Sequence, residues 1–360
     1  MSVAAHVAPV IMCGGAGSRL WPASTEAWPK PFRAFGDGPT LFQSAALRVS
    51  GGTSPRFLPP VVICGEAHLG LVEAQLGQIG VAPGAIVLEP CARGTAALAV
   101  VAARVVAELY PGARLLLLPA DHAITDVEGF RAAIDRGGVV AGEYIVTLAI
   151  APDRPETGYG YIQSGAALGA GVARVARFVE KPDAATAQAW LDAGDYAWNA
   201  GIFLFSPELL LSEFSHLAGD IADTAGAALD QATRDGEVIR LNEAVFAGCR
   251  SEAIDRAIME RTDRAAAVAC DIGWTDVGSW SEVWRIGPRD AAGVMARGPV
   301  TTLDVTDSLV WSDGPTVAVL GVSDLMVVAA GGAVLVASRT RAQAVRELVE
   351  ALKAVRLGVD

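Results

Sequence analysis

The chain has 360 residues, of which 52% are apolar and 19% are charged, and its formal net charge is −12. This composition is typical of a folded globular protein and excludes a disordered chain. The acidic balance argues against duplex DNA or an anionic membrane as a partner, although a local basic pocket can still hold phosphates. No signal peptide is apparent, and the five cysteines show no CxxC pair and no zinc spacing. We therefore expect free thiols and a cytoplasmic protein.

Apolar runs alternate with helical segments over the first 150 residues. The runs VAPVIMCGG, PPVVICG, AIVLEP, ARLLLLPADH and YIVTLAIAP predict five strands, with helices beginning near Thr95 and within FRAAIDRGGVVA. This alternation predicts an α/β fold with a Rossmann-like, mostly parallel sheet. Ligands of such sheets bind beyond the carboxyl ends of the strands, where the glycine-rich loop, Glu89 and Asp121 all fall.

The pattern changes at about residue 288, where long helices give way to short strands with Gly, Asp and Ser turns. We therefore predict a catalytic domain over residues 1–287 and a small, β-helix-like domain with a C-terminal helix over 288–360. In the final segment TRAQAVRELVEALKAV, the spacing of Val345, Leu348, Val349 and Leu352 predicts one apolar helix face that docks on the protein body.

The loop GGAGSRLWP follows the first predicted strand. It does not match the dinucleotide fingerprint, because Leu20 stands where the third glycine is needed, and it does not match the P-loop. Glycines at 15 and 17 let successive N–H groups approach an anion. With Arg19 for bidentate phosphate contacts and Lys30 in the following PKPF as a point charge, the loop suits a triphosphate.

Two aspartates distant in sequence are candidate Mg²⁺ ligands, because Mg²⁺ prefers one or two carboxylates together with phosphate oxygens and water. Asp121 ends the strand in LPADH, and Asp276 lies in the loop GWTDVGSW. Either could instead be structural, Asp121 as a helix cap and Asp276 as a turn residue. For His122 we favour a structural hydrogen bond.

Polar groups suited to a sugar phosphate follow in the second half. In FVEKP, the carboxylate of Glu180 can accept from sugar hydroxyls and Lys181 can hold a phosphate, although an exposed ion-paired turn is the alternative. Asn199 in YAWNAGIFLF can donate to and accept from a hexose hydroxyl. Gly160 in TGYGYI allows a close backbone approach. In SEAIDRAIMERTD, we interpret Asp255 and Glu260 as residues of an ordinary helix.

Together these motifs resemble the sugar-1-phosphate nucleotidylyltransferase family. GGAGSRLWPASTEAWPKPF is similar to the family's G-x-G-x-R-x-x-P…P-K motif, and its RLWP is similar to the mannose-1-phosphate guanylyltransferase branch. The resemblance continues in the family's order through EPCARGTA, LPADH, TGYGYI, FVEKP, WNAGIFLF and DIGWTDVGSW. One departure is Gly94, which stands where the family usually has asparagine.

The resemblance implies transfer of GMP from GTP to mannose 1-phosphate, with Mg²⁺ as cofactor and GDP-mannose and pyrophosphate as products. Family members often form dimers, so a homodimer is also compatible with the resemblance. It assigns catalysis to Arg19, Lys30, Asp121, Lys181 and Asp276, with Asp121 and Asp276 as the metal ligands. The expected nucleotide-binding residues are Gly14, Gly15, Gly17, Ser18, Arg19, Glu89, Gly94 and Thr95. The expected substrate-binding residues are Gly160, Glu180, Lys181 and Asn199.

Three alternatives stay open at this stage. The same chemistry could use another sugar or base, because such selectivity rests on a few hydrogen bonds. A catalytically silent sugar-nucleotide sensor of the same fold is the second, and the five candidate catalytic residues speak against it. The third is a bifunctional relative that carries a C-terminal phosphomannose isomerase domain. We expect that the sequence after the short final helix leaves no room for such a domain.

Overall fold

The computed structural model describes residues 6–15, 17–51 and 56–357. The strands are β1 (Val7–Cys13), β2 (Val61–Gly65), β3 (Ala85–Glu89), β4 (Arg114–Pro119), β5 (Ala123–Ile124), β6 (Ile145–Ile150), β7 (Gly160–Gly169), β8 (Val172–Glu180), β9 (Tyr196–Phe205), β10 (Thr233–Asp235), β11 (Val238–Arg240), β12 (Ala265–Ala269), β13 (Trp274–Thr275), β14 (Met295–Arg297), β15 (Val300–Leu303), β16 (Leu309–Ser312), β17 (Val317–Leu320), β18 (Leu325–Ala330) and β19 (Ala333–Ser338).

The α-helices are α1 (Leu41–Arg48), α2 (Leu69–Ile79), α3 (Gly94–Leu109), α4 (Val127–Gly138), α5 (Ala184–Ala193), α6 (Pro207–Leu217), α7 (Gly219–Asp230), α8 (Glu243–Phe246), α9 (Trp280–Ile286) and α10 (Val345–Leu357). Short 3₁₀ turns occupy Ser18–Leu20, Lys30–Phe32, Glu66–His68 and Arg339–Ala344, and Asp255–Met259 forms a π-helical turn. The predicted strands and helices of the first 150 residues are confirmed.

The chain forms two compact units that alternate along the sequence. Unit 1 comprises the chain up to Gly14 together with Ala45–Ala120 and Ile124–Trp274. Unit 2 comprises Gly15–Ser44, Asp121–Ala123 and the chain from Thr275 onward. The linear boundary between residues 287 and 288 stays a prediction.

Unit 1 contains an eleven-stranded sheet with the order β10-β11-β3-β2-β1-β4-β9-β6-β12-β8-β7. Strands β8, β9 and β10 run against the other strands, which share one direction. The α/β fold with a mostly parallel sheet is therefore confirmed. Every residue of β1 is buried, as expected for a parallel strand covered on both faces.

The core of unit 1 is built around α3. Its run of small and branched apolar residues from Ala96 to Ala103 is buried throughout, and α6 and α7 pack against the same helix. Alanines at these positions let helices and sheet approach closely, so the hydrophobic effect of many small side chains stabilises the layer.

Unit 2 includes a small all-β region of stacked coils. Strands β14, β16 and β18 pair in parallel, and β15 pairs in parallel with β17. Met295 aligns with Leu309, and Leu309 aligns with Met326, so three buried side chains stack along the axis. This arrangement agrees with the predicted β-helix-like domain.

The C-terminal helix α10 docks within unit 2 through only part of its predicted apolar face. Val345 is buried in the core of unit 2, and Val349 packs against that core. Leu348 and Leu352, in contrast, are exposed. The prediction of one continuous docked face is therefore wrong for these two leucines.

No helix in the described part of the chain is long and apolar enough to cross a membrane. The five cysteines are free thiols, as predicted, with Cys13, Cys64 and Cys249 buried and Cys91 and Cys270 half-buried.

Candidate active site

A polar cavity in unit 2, called the phosphate cavity below, brings together the charged residues of the glycine loop and the two candidate metal ligands. It has a volume of about 240 Å³. Its lining residues are Gly15, Gly17, Ser18, Arg19, Leu20, Lys30, Asp121, Asp276, Gly278 and Arg346. Arg19, Lys30, Asp121 and Asp276, which are widely separated in sequence, therefore meet as predicted around one space.

The glycine loop is shaped by two residues with left-handed backbone conformations. Gly15 has φ +85° and Gly17 has φ +62°. A Cβ on Gly17 would also lie 2.5 Å from Cβ of Lys30, so only glycine fits where the loop crosses that lysine. Gly14 and Gly15 are exposed, as an anion-binding loop requires, and Ala16 lies outside the described residues.

The turn after the loop is anchored through Leu20, the residue that follows Arg19. The N–H of Leu20 donates to the carbonyl of Gly17 over 2.9 Å, and the Leu20 side chain is buried in the core of unit 2. Arg19 is half-buried and lines the phosphate cavity. The anchored neighbour thus presents the guanidinium at a defined place, which favours bidentate phosphate binding.

Lys30 connects the two aspartates. Its side chain is almost fully buried, and its Nζ donates to Oδ2 of Asp121 over 2.7 Å and to the backbone carbonyl of Asp276. A buried ammonium needs such partners to offset its desolvation. The lysine therefore lies deep in the phosphate cavity and holds both aspartate segments together.

Asp121 is kept ionised by its surroundings. Burial acts to raise its pKa, but the charge of Lys30, the nearby His122 and the hydrogen bond from Lys30 together hold the pKa below its ordinary value. Nε2 of His122 lies 3.9 Å from Oδ1 of Asp121, beyond hydrogen-bond distance. An ionised carboxylate is the form that can bind a divalent cation.

The donor set of the phosphate cavity fits Mg²⁺. Within the described residues, no group of three or more His, Cys, Asp or Glu side chains could form an all-protein metal cage. Asp121 and Asp276 supply two carboxylates, which together with phosphate oxygens and water meet the preference of Mg²⁺. Oδ1 of Asp276 accepts from the N–H of Gly278 over 3.0 Å, and a Cβ on Gly278 would lie 2.7 Å from Oδ2.

In unit 1, a second polar group, called the Glu180 cluster below, contains Gly160, Glu180, Lys181, Asn199 and Asp255. Gly160 pairs with Glu180 across β7 and β8, and a Cβ on Gly160 would lie 2.8 Å from Oε2 of Glu180. Nζ of Lys181 donates to Oε1 of Glu180 over 2.6 Å. The predicted substrate-binding residues therefore lie together.

The amide of Asn199 is largely used within the protein. Its Oδ1 accepts from the Thr147 hydroxyl over 2.7 Å and from the Gly201 N–H over 3.1 Å, and its Nδ2 donates to Oδ1 of Asp255 over 3.0 Å. Since an amide nitrogen carries two hydrogens, one donor remains for a ligand. Asn199 can thus donate to a hydroxyl, but its acceptor oxygen is already occupied.

Comparison with known proteins identifies the family. The family model for nucleotidyl transferases matches residues 8–293, and the model for the MannoseP isomerase/GMP-like beta-helix domain matches residues 298–352. The chain belongs to the nucleotidyl transferase family. That assignment agrees with a fold and a set of charged residues suited to phosphate binding.

Several curated proteins resemble this nucleotidyl transferase over most of its length. The mannose-1-phosphate guanylyltransferase of Escherichia coli is 41% identical, with 96% of this chain and 73% of that protein covered. The alginate biosynthesis protein AlgA of Pseudomonas aeruginosa is also 41% identical, with 96% and 72% covered. The crystal structure of a mannose-1-phosphate geranyltransferase from Thermus thermophilus superposes with a TM-score of 0.83 at 32% identity, covering 96% of this chain and 99% of that one.

Sequence analysis of this nucleotidyl transferase did not identify Asp255 as a site residue. Ile254, Ile258 and Met259 are buried as expected, but the segment forms a π-helical turn that begins at Asp255. Burial and, second, the charge of Glu180 raise the pKa of Asp255 to about 7. The sequence signal that could have identified Asp255 was an acidic residue among inward-facing apolar ones. In the structure, the π turn is a second signal, because such turns often mark functional sites.

Glu260 also contacts the Glu180 cluster, where sequence analysis favoured an ordinary helical role. Its Oε1 accepts from the backbone N–H of Glu180 over 2.9 Å. This contact fixes the end of β8 and leaves the Glu180 side chain for other partners.

The expected nucleotide-binding residues Glu89, Gly94 and Thr95 lie in unit 1, where Gly94 and Thr95 pack against a neighbouring loop. Gly94 has φ +78°, and a Cβ there would overlap the carbonyl of Glu252. A side chain at position 94 would therefore require the Glu252 backbone to shift. Thr95 Oγ1 accepts from the Ile254 N–H over 2.9 Å, so Thr95 positions the segment before Asp255. Glu89 is half-buried at the end of β3, and burial raises its pKa to about 7.

Proposed function

We propose that the chain transfers GMP from GTP to α-D-mannose 1-phosphate and releases GDP-mannose and pyrophosphate. The observation that carries the proposal is the phosphate cavity, which Arg19, Lys30, Asp121 and Asp276 line together from distant parts of the chain. The choice of mannose and guanine is supported by relatives of about 40% identity named mannose-1-phosphate guanylyltransferase.

In the proposed reaction, a phosphate oxygen of mannose 1-phosphate attacks the α-phosphorus of GTP in line. One O–P bond forms at that phosphorus, and the bond to the bridging oxygen breaks, so pyrophosphate leaves. The attacking oxygen is already anionic, and no covalent protein nucleophile is required. Catalysis then depends on positioning and on stabilising charge.

Five residues, together with the glycine loop, supply that positioning and stabilisation in our proposal. Arg19 and the glycine loop bind the triphosphate and stabilise the negative charge that grows on the departing pyrophosphate. Lys30 keeps Asp121 ionised and oriented. Lys181 holds the phosphate of the sugar. Bound to Asp121 and Asp276, Mg²⁺ would add positive charge next to the phosphate oxygens.

The Glu180 cluster serves the sugar in this proposal. Sugar hydroxyls are donors, and the carboxylates of Glu180 and Asp255 are acceptors. Asn199 contributes its remaining N–H, and Gly160 leaves room where a side chain would crowd Glu180.

We also propose that Glu89, Gly94 and Thr95 bind the nucleotide. A homodimer and a cytoplasmic location remain proposals.

A nucleotide-by-sugar activity matrix tests the proposal. Pyrophosphate release is measured for GTP, ATP, UTP and CTP, each with the 1-phosphates of mannose, glucose, galactose and fucose, with and without Mg²⁺. We expect the highest kcat/KM for GTP with mannose 1-phosphate and no turnover without a divalent cation. A higher value for another pair would reassign the substrate, and no pyrophosphate release from any pair would instead support a silent sensor.

A further inference from the structure

We propose that Arg346, on the first turn of the C-terminal helix, binds the terminal phosphates of the nucleotide and the pyrophosphate product. Arg346 lines the phosphate cavity together with Arg19, Lys30, Asp121 and Asp276. It lies well beyond the sequence motifs that indicate the phosphate site. The inference deepens the proposed function and rests on its assignment of this cavity to phosphate.

The position of Arg346 is fixed by the packing of its neighbour. Val345 is buried in the same core cluster as Leu20, and these two residues directly adjoin Arg346 and Arg19. Helix α10 packs against the Ser18–Leu20 turn. The same apolar cluster therefore anchors the neighbours of two arginines that line one cavity.

The charge balance of the cavity gives Arg346 a role. Arg19 and Lys30 contribute two positive charges, and Asp121 and Asp276 contribute two negative ones, so these four side chains cancel. A triphosphate or pyrophosphate is a polyanion and binds best where positive charge is in excess. Arg346 supplies that excess within the protein itself, and its planar guanidinium suits bidentate contact with phosphate oxygens.

The present partner of Arg346 is easily exchanged. Its Nε donates to Oε1 of Glu350 over 3.0 Å, one helical turn later, and both side chains are mostly exposed. An exposed pair of this kind contributes about 0.3–0.5 kcal/mol. Phosphate can therefore replace Glu350 as the partner at little cost.

Calorimetric titration with inorganic pyrophosphate in the presence of Mg²⁺ tests the proposal. The variant is Arg346→Gln, and the matched control is Lys353→Gln. Lys353 is an exposed cation on the same helix, pairs with Glu26 over 2.6 Å and does not line the phosphate cavity. We expect Arg346→Gln to weaken pyrophosphate binding by roughly tenfold or more, as for a lost charge-assisted hydrogen bond. Lys353→Gln should bind as the wild type does.

Two further variants keep the test decisive if Arg346→Gln folds poorly. Arg346→Lys should show an intermediate affinity, and Glu350→Gln should bind pyrophosphate at least as tightly as the wild type, because a competitor is removed. Unchanged affinity in Arg346→Gln, or an equal loss in Lys353→Gln, would overturn the assignment.

The outcome is separable from that of the proposed function. If the wild type makes no GDP-mannose but Arg346→Gln still weakens pyrophosphate binding, the sugar or base is wrong and Arg346 remains a phosphate ligand. If the wild type makes GDP-mannose and Arg346→Gln binds pyrophosphate normally, the inference about Arg346 fails alone.

Discussion

In the phosphate cavity, the ammonium of Lys30 directly neutralises Asp121. In the Glu180 cluster, by contrast, two carboxyl groups, those of Glu180 and the half-buried Asp255, share one exposed cation, Lys181. The pKa of Asp121 is accordingly lowered, and that of Asp255 is raised. The difference matches the ligands we propose. A cavity in which a buried lysine keeps a carboxylate ionised suits metal-bound phosphates, and a group rich in acceptors suits the neutral hydroxyls of a sugar.

The sharpest way to break this comparison is to remove a carboxylate from the phosphate cavity. If Asp276 binds the metal, Asp276→Asn should lower kcat by about 10²–10³-fold, comparable to the loss of one strong electrostatic contact in a transition state. Steady-state rates at saturating Mg²⁺ measure the effect. Asp230→Asn, which removes only a surface ion pair with Arg104, should leave the rate unchanged. A near wild-type rate for Asp276→Asn would remove Asp276 from the site.

The next effect concerns the geometry of the positive charge. Arg19→Lys keeps the charge but loses the bidentate fork, so we expect kcat to fall by roughly 10²-fold and the KM for mannose 1-phosphate to change less. Arg33→Lys is the matched control, because Arg33 pairs with Asp313 in the same unit and does not line the cavity. An unchanged kcat with a raised KM for mannose 1-phosphate alone would assign the loop to the sugar.

The smallest expected effect is a pH dependence of stability. Asp255 faces Glu180 and Lys181, and its folded-state pKa is about 7, above the ordinary value of 3.8. The folded protein thus holds a proton that the unfolded chain releases, so this contribution is complete below about pH 4 and is lost as the pH rises through 7. Asp255→Asn should lose a few degrees less in Tm between pH 5 and 8 than the wild type does.

Glu89 has a similarly raised pKa, but it is present in both proteins and contributes equally to their slopes. Differential scanning fluorimetry across this pH range gives the comparison. Parallel Tm profiles of wild type and Asp255→Asn would show that Asp255 does not titrate in this window.

The fold and the placement of Arg19, Lys30 and Asp121 at one cavity were largely predictable because they depend on local signals. Apolar runs such as β1 and the small-residue helix α3 follow from periodicity and burial. Arg19, Lys30 and Asp121 lie in short motifs next to strand ends, where ligand residues of parallel sheets gather.

Other features could not be predicted, because they depend on contacts between distant segments. Asp255 acquires its environment from Asn199 and Glu180, which a single helical pattern does not reveal. Arg346 lines the phosphate cavity next to Val345, which is buried in the same apolar cluster as Leu20. The exposure of Leu348 likewise depends on which residues of α10 pack against the rest of unit 2.

The central claim is that unit 2 binds the phosphates of the nucleotide and that the Glu180 cluster of unit 1 binds the sugar. Calorimetric titration of Arg19→Lys and Glu180→Gln, each with Mg²⁺-pyrophosphate and with mannose 1-phosphate, tests it most directly. We predict crossed losses of about tenfold, with Arg19→Lys weakening only pyrophosphate and Glu180→Gln weakening only mannose 1-phosphate. Losses for the same ligand in both variants, or the reverse pattern, would contradict this assignment of the two ligands.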